Sequence, residues 1–270
     1  MKEIRPPAVA GMFYSKFEET LRRDIQKLFA RVDDTSDLNS TVVVAPHAGY
    51  VYSGLTASHI FARLPKNKYK TVIVVAPSHH EYYEFASIFP GGAYSTPLGQ
   101  ILLDREKIRT MMRGSNTIRL AEQGHGREHS VEVMLPFLQE AIGEFKLVPL
   151  VMGQQNKMLI NEIAVKLDSV MNDETLLVVS TDLSHFHSKK DAELIDSRIE
   201  GYISAADSEA LYEGLESGAC EACGGGAIVA ALEALKLKQS AKPKIIHRSD
   251  SGDVSGDRSS VVGYMAASLN

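Results

Sequence analysis

Two runs of β-branched residues constrain the fold more than any other feature of the chain. Each run is followed by Ala-Pro and then by histidine: Thr41–Val44 leads to His47, and Thr71–Val75 leads to His79. Such runs are typical of short buried strands, and the proline ends each strand so that the histidine lies in the following loop. Open α/β sheets place their ligand sites at the carboxyl ends of strands. We therefore expect both histidines at one edge of a sheet.

The rest of the chain alternates strand patterns with helix patterns, which indicates the α/β class. Further strands are predicted at 85–89, 146–152, 175–180, 244–247 and 261–267. Helices are predicted at 16–31, 56–64, 104–112, 131–142, 157–171, 190–205, 208–215 and 226–236. Glycine, proline and polar residues predict irregular loops at 91–99 and 249–259. A chain of 270 residues with this alternation is expected to form a single domain over 1–270.

Composition excludes several classes of protein. The net charge is −5 at pH 7 and the pI is about 6.0, so a nucleic-acid-binding surface has no electrostatic support. No apolar run approaches the roughly 18 residues of a membrane span, and the N-terminal segment lacks the apolar core of a signal peptide. We therefore expect a cytoplasmic protein that binds neither nucleic acid nor membrane. Cys220 and Cys223 form one Cys-x-x-Cys pair without a second, which argues against a structural zinc knuckle.

Polar residues with metal-binding chemistry follow the predicted strands. The strand at 175–180 runs directly into Asp182 and His185, so one sheet edge can present imidazoles together with a carboxylate. Such a set suits divalent iron, zinc or copper. Cys223 adds either a thiolate ligand or a nucleophile. It precedes three glycines and a helix, whose N-terminus is expected to lower the pKa of the thiol.

Several of these residues also have a purely structural interpretation. Asp182 can cap the turn that follows it, and Cys223 can be a small buried residue. The glycines at 224–226 can mark a tight helix entry or an anion-binding helix N-terminus. Tyr52 beside the first histidine loop can donate a hydrogen bond to a bound oxyanion or simply pack, and His129 can line the cleft. We interpret Tyr52 and His129 as substrate-binding residues.

Six short segments occur in a characteristic order along essentially the whole chain. They are RPPAVAGMFY from Arg5, APHAGYVYSG from Ala45, APSHH from Ala76, REHSVEVMLPF from Arg127, STDLSHF from Ser180, and CG at Cys223. Together they make the chain resemble the Memo family. That family is similar in fold to the class III extradiol dioxygenases, which are non-haem iron enzymes that cleave catechol-type rings. The resemblance implies one α/β domain with a central mixed sheet flanked by helices and a single cleft.

The resemblance also implies roles for particular residues. The metal-binding positions of the family fall on His47, His79 and Cys223, and Asp182 and His185 match further pocket residues, to which we assign catalytic roles. A thiolate is a soft ligand that favours copper or zinc as well as iron, so the expected metal is iron or copper, with zinc as a further option. Microbial members often accompany a radical S-adenosylmethionine protein and an AMMECR-type protein. These are the partners that the resemblance suggests, beside an unidentified small molecule or peptide.

Three functions from different classes are compatible with these residues. The first is a metal-dependent, dioxygenase-like oxidoreductase with a His/His/Cys site. The second is a metal-free hydrolase in which Cys223 is the nucleophile and His47 or His185 the base. The third is a phosphate- or peptide-binding module with a vestigial active site. We favour the first, although a set of ligands identifies a site better than it identifies a reaction.

Overall fold

The chain forms strands and helices in alternation. The computed structural model describes residues 3–270, so Met1 and Lys2, the first residues of the predicted domain, lie outside the described residues. The helices are α1 (Glu18–Phe29), α2 (Tyr50–Phe61), α3 (Arg105–Met112), α4 (Met134–Ile142), α5 (Lys157–Val170), α6 (Lys189–Ser204), α7 (Ser208–Glu216), α8 (Gly225–Leu237) and α9 (Gly252–Ser255). The strands are β1 (Ile4–Arg5), β2 (Val42–Ala45), β3 (Thr71–Pro77), β4 (Ala86–Ile88), β5 (Ala93–Thr96), β6 (Gly99–Leu102), β7 (Ile118–Leu120), β8 (Lys146–Met152), β9 (Thr175–Ser180), β10 (His185–His187), β11 (Lys244–Asp250) and β12 (Val261–Ser268).

A mixed sheet flanked by helices positions the site. Its strands run in the order β10-β12-β2-β9-β3-β8-β4-β7, and β11 also pairs with β12. The central strands β2, β9, β3 and β8 are parallel to one another, whereas β12 and β4 are antiparallel to the neighbouring β2 and β8. The parallel strands therefore share one carboxyl edge. The predicted α/β fold with a central mixed sheet is confirmed.

Burial explains why the central strands could be predicted from the sequence. Every residue of β2, β3 and β9 is buried, and their runs of valine, leucine and isoleucine are typical of parallel strands covered on both faces. Helix α8 is buried along most of its length and contacts α5, α7 and β9. Among residues 3–270 we find no helix with both the length and the apolar character needed to cross a membrane.

A buried carboxylate anchors the segment that begins at Arg5. Glu132 is fully buried and forms an ion pair with Arg5, which is 2% exposed. The same carboxylate accepts hydrogen bonds from the backbone N–H groups of Ala8 (2.7 Å) and Val9 (3.1 Å) and from the hydroxyl of Tyr14. The irregular N-terminal segment is therefore held by a single side chain from the stretch that precedes α4.

Some predicted elements were wrong. The helix predicted at 56–64 spans Tyr50–Phe61 instead, so it begins three residues after His47 and contains Tyr52. The region predicted to be irregular at 91–99 contains β5, which pairs antiparallel with β6 across a turn at Pro97. These strands have four residues each, and their neighbouring glycines and proline hid them. The loop predicted at 249–259 contains the end of β11 and the short helix α9.

Candidate metal centre

Two histidines and a cysteine meet at the carboxyl edge of the parallel strands. His47 follows β2, His79 follows β3, and Cys223 lies in the connection between α7 and α8. One ligand atom from each residue lies within 4.8 Å of those of the other two. His47 is buried, Cys223 is half-buried, and the side chain of His79 is 27% exposed. The structure thus brings together the three residues that the family resemblance implies as metal ligands.

The hydrogen bonds of His47 determine which ring nitrogen is free. Its Nδ1 lies 2.7 Å from the hydroxyl of Ser180, and that hydroxyl donates its single proton to the carbonyl of Ser130 at 2.6 Å. Nδ1 of His47 must therefore carry the proton in this bond, which leaves Nε2 with a lone pair. Nε2 lies 3.3 Å from Sγ of Cys223. Burial holds the pKa of His47 well below its ordinary value, so the ring is neutral.

A carboxylate orients His79 in the same way. Nδ1 of His79 lies 3.0 Å from Oε1 of Glu128, which also accepts hydrogen bonds from the backbone N–H groups of His129 (2.8 Å) and Ser130 (2.9 Å). Burial raises the pKa of Glu128, but the hydrogen bonds and charge of His79 and the backbone amides outweigh it and hold the pKa below its ordinary value. Nε2 of His79 is left available. A carboxylate behind a histidine is a common arrangement at metal sites.

Cys223 is a thiol rather than a thiolate in this environment. Burial and the charge of Asp182 raise its pKa to about 12. The prediction that the helix N-terminus lowers this pKa was therefore wrong, because desolvation dominates. Sγ does accept a hydrogen bond from the backbone N–H of Asp182 at 3.2 Å. A bound cation would be needed to stabilise the thiolate at neutral pH.

The glycines after Cys223 allow a close approach of two backbones. A Cβ atom on Gly224 would lie 2.5 Å from the carbonyl oxygen of Ser180, and one on Gly226 would lie 2.8 Å from Gln155. The N–H of Gly224 donates to the hydroxyl of Thr181 at 2.9 Å, and that of Gly226 donates to Oε1 of Gln155 at 2.7 Å. The start of α8 is therefore packed against the protein, and these amides are not free to bind an anion.

The two residues predicted to be catalytic differ in their contacts with this cluster. Asp182 is buried, accepts a hydrogen bond from the backbone N–H of His47 at 2.8 Å, and places Oδ2 4.0 Å from Nε2 of His47. Burial raises its pKa to about 7, against the effect of the hydrogen bond from His47. His185 lies on β10, and burial lowers its pKa. It lines a cavity beside Cys223.

The two predicted substrate-binding residues differ in placement. The ring of His129 lies 4.9 Å from that of His79 and 5.6 Å from that of His47. Burial lowers the pKa of His129 to about 4, so this imidazole is neutral at pH 7 and lies beside the other two. Tyr52 is 45% exposed on α2, and its hydroxyl makes no hydrogen bond with any described residue. No hydrogen bond therefore attaches Tyr52 to the cluster.

The hydrogen bonds that support the ligands were not predicted from the sequence. Glu128 is 49 positions from His79, and Ser180 is 133 positions from His47. Gln155 donates to the carbonyl of Cys223 at 2.7 Å. Glu128 and Ser180 both lie in segments that carry the family resemblance, which is the one sequence signal that points to them.

A cavity of about 330 Å³ lies beside the cluster. Its wall includes three residues of the site, Gln155, His185 and Cys223. Two further lining residues, Ile160 and Leu215, contribute apolar surface. A larger cavity of about 800 Å³ is lined by residues that include Lys70 and Lys146, at the amino ends of β3 and β8. That cavity lies at the opposite edge of the sheet, so the smaller one is the cavity relevant to the cluster.

Comparisons with known proteins cover almost the whole chain. Residues 5–268 match the family described as Memo-like protein. MEMO1 family proteins of Thermoplasma volcanium and Thermoplasma acidophilum are 36% and 35% identical to the chain, over 97% and 96% of its length and 96% of theirs. One of Methanobrevibacter smithii is 34% identical over 97% of this chain and 98% of its own. Among solved structures, an uncharacterized protein of Escherichia coli K12 is 12% identical, with a TM-score of 0.47 over 83% of this chain and 98% of that one.

Proposed function

The chain belongs to the Memo family, and we propose that it binds one iron or copper ion through His47, His79 and Cys223 and acts as an oxidoreductase. The observation that carries this proposal is the convergence of three ligand atoms within 4.8 Å from three distant segments of the chain.

The donor set fits a transition-metal ion. In each imidazole the Nδ1–H is bound to an acceptor, so that Nε2 points away from that hydrogen bond and is available. The thiol of Cys223 stands beside them, where desolvation and the charge of Asp182 disfavour its anion unless a cation is bound. Two nitrogens and one sulfur suit copper, zinc and iron, and three protein ligands leave room for a further one.

Each of the surrounding residues has a part in this proposal. A bound iron or copper ion would supply one-electron chemistry and Lewis acidity at this position. Glu128 and Ser180 hold the two imidazoles in the ligating tautomer. Asp182 places Oδ2 beside His47, where it can hold a proton. His185, in the wall of the cavity, is placed to hydrogen-bond a bound substrate.

Metal analysis with matched variants tests the proposal. The protein is purified without oxygen, and its metals are measured by mass spectrometry beside His79→Ala and Cys223→Ala. His80→Ala and Cys220→Ala are the controls, since each removes the same side chain from a nearby position. We expect about one equivalent of iron or copper in the wild type and both controls, and loss of metal from the two ligand variants. Equal metal in both members of either pair would overturn the ligand set, and zinc or calcium alone would overturn the redox role.

A metal-free cysteine mechanism is the second candidate. The contact of 3.3 Å between Nε2 of His47 and Sγ of Cys223 is within reach of a nucleophile and its base. The raised pKa of the thiol argues against it. Alkylation of chelator-treated protein by iodoacetamide at pH 7 distinguishes the two. A rate at Cys223 above that of free cysteine supports the nucleophile, whereas a slower rate supports the metal ligand.

Two further expectations concern anion binding and partner proteins. A phosphate-binding module is not proposed, because the amides of Gly224 and Gly226 at the start of α8 are already hydrogen-bonded within the protein. The radical S-adenosylmethionine and AMMECR-type partners suggested by the family resemblance stay predictions, which co-purification of the full-length protein would test.

A further inference from the structure

The cavity beside Cys223 has a distinctive charge. We propose that it is the substrate pocket of the metal centre and takes a small, largely apolar molecule that carries a positively charged amine. Its role as a substrate pocket depends on the function proposed above, whereas its charge preference depends only on its walls.

The size of the cavity limits the ligand. A volume of about 330 Å³ lies near the lower end of the range for small-molecule sites, which is roughly 300–1,000 Å³. Ile160, Tyr212 and Leu215 give it apolar and aromatic surface. A single ring with a short side chain fits this volume.

The charged side chains that line the cavity are carboxylates. Glu216 and Glu221 are among the lining residues, and no lysine or arginine is. Burial lowers the pKa of His185, so this imidazole adds no positive charge at neutral pH. The ammonium of Lys157 lies 5.5 Å from the ring centre of Tyr212, but this lysine does not line the cavity.

One of the two carboxylates is available to a ligand. Both oxygens of Glu221 lie within 3.0 Å of Nε2 of His187, so this carboxylate already has a partner. Glu216 makes no ion pair or hydrogen bond with any residue in the described range 3–270. It is exposed at the end of α7. An ammonium group bound to Glu216 would leave the rest of the ligand in the apolar part of the cavity, with its far end toward Cys223.

Labelling of Cys223 by charged thiol reagents tests this assignment. Chelator-treated, full-length protein is reacted with two methanethiosulfonates of similar size, one bearing trimethylammonium and the other sulfonate. Peptide mass mapping separates Cys223 from Cys220, and each rate is divided by the rate of the same reagent with 2-mercaptoethanol. We expect the cationic reagent to react on the order of tenfold faster, because nearby carboxylates attract one reagent and repel the other.

A matched pair of variants localises the effect. Glu216→Gln should lower the preference severalfold. Glu213→Gln removes the same charge from an exposed position of the same helix that does not line the cavity, and it should leave the preference unchanged. In addition, 2-phenylethylamine should slow labelling by an uncharged methanethiosulfonate, and phenylacetate should not.

Two results would overturn the proposal: a normalised rate ratio of one or less, or the same decrease in both variants. Neither result would bear on the metal, because the labelling is done without it. Conversely, a wild-type protein that contains no metal would refute the proposed function and leave the charge preference of the cavity measurable.

Discussion

Replacement of Glu128 by glutamine tests whether this carboxylate orients the metal ligand His79. Metal affinity and the stability of the fold are measured separately. The Glu128 carboxylate accepts hydrogen bonds from Nδ1 of His79 and from the backbone N–H groups of His79, His129 and Ser130. A glutamine side chain has one oxygen acceptor and one NH₂ donor. In either orientation of the amide, at least one of these N–H groups would therefore face another donor.

The expected magnitude follows from these contacts. Loss of a partner that orients a metal-binding histidine typically weakens metal affinity about 10- to 100-fold, which corresponds to about 1.4–2.7 kcal/mol. An unpaired buried N–H group costs a further ~1–3 kcal/mol of folding free energy. Zinc affinity is measured by competition with a chromophoric chelator, with zinc as a probe metal, and stability is measured by urea unfolding of the metal-free protein.

Glu132→Gln is the matched control for Glu128→Gln. Glu132 is four positions along the chain, is equally buried and also accepts several hydrogen bonds, but its partners lie in the segment that begins at Arg5. Removal of its charge leaves Arg5 unpaired in the interior and should cost about 3–5 kcal/mol of stability without a change in zinc affinity of the folded protein. If Glu128→Gln binds zinc within twofold of the wild type while His79→Ala does not bind it, Glu128 does not orient His79.

Four further substitutions test two titratable side chains and two glycines. Burial lowers the pKa of His125 to about 3, so below pH 6.5 the unfolded chain takes up a proton that the folded chain cannot. His125 should therefore lower the free energy of unfolding by about 2 kcal/mol between pH 7 and pH 5. In His125→Asn, the free energy of urea unfolding should change less with pH over that range. Burial raises the pKa of Asp182 to about 7, so its stabilising contribution is present at low pH and is lost as the pH rises through 7. Asp182→Asn should therefore stabilise the metal-free protein at pH 8 by on the order of 2 kcal/mol in urea unfolding. Gly224→Ala would place Cβ 2.5 Å from the carbonyl oxygen of Ser180, and it should cost about 1–3 kcal/mol and reduce metal content. Gly201→Ala, where Cβ would meet nothing within 4 Å inside α6, should stabilise the protein by about 0.5–1 kcal/mol.

Each of these expectations has a contradicting result. An unchanged slope of stability against pH in His125→Asn would show that His125 is protonated in the folded protein or is already solvated. A lower urea midpoint for Asp182→Asn at pH 8 would show that the carboxylate is stabilised as an anion. Equal stability of Gly224→Ala and Gly201→Ala would show that the backbone near Ser180 moves aside without cost.

The sheet and its histidines could be predicted from the sequence because the signals are local. β2 and β3 are continuous β-branched runs that end in Ala-Pro, and parallel strands bring their carboxyl ends to one edge. His47 and His79 therefore lie together without any knowledge of long-range contacts. The four-residue strands β5 and β6 contain no such β-branched run, which is why the β5–β6 hairpin was predicted as a loop.

The support of the ligands could not be predicted because it is set by distant contacts. The carboxylate that fixes His79 and the hydroxyl that fixes His47 come from other parts of the chain, and neither residue type is specific to this role. The pKa of the Cys223 thiol could not be predicted for a different reason. The sequence shows that Cys223 precedes a helix, but it does not show that the first amides of that helix are occupied or that burial raises the pKa of the thiol.

X-ray absorption spectroscopy at the metal edge tests the proposed ligand set most directly. The sample is the full-length protein purified without oxygen, beside Cys223→Ser. We predict one sulfur and at least two imidazole nitrogens bound to iron or copper in the wild type, with the sulfur absent from Cys223→Ser. A metal surrounded only by nitrogen and oxygen in the wild type, or a sulfur signal that persists in Cys223→Ser, would contradict the assignment of His47, His79 and Cys223 as the metal ligands.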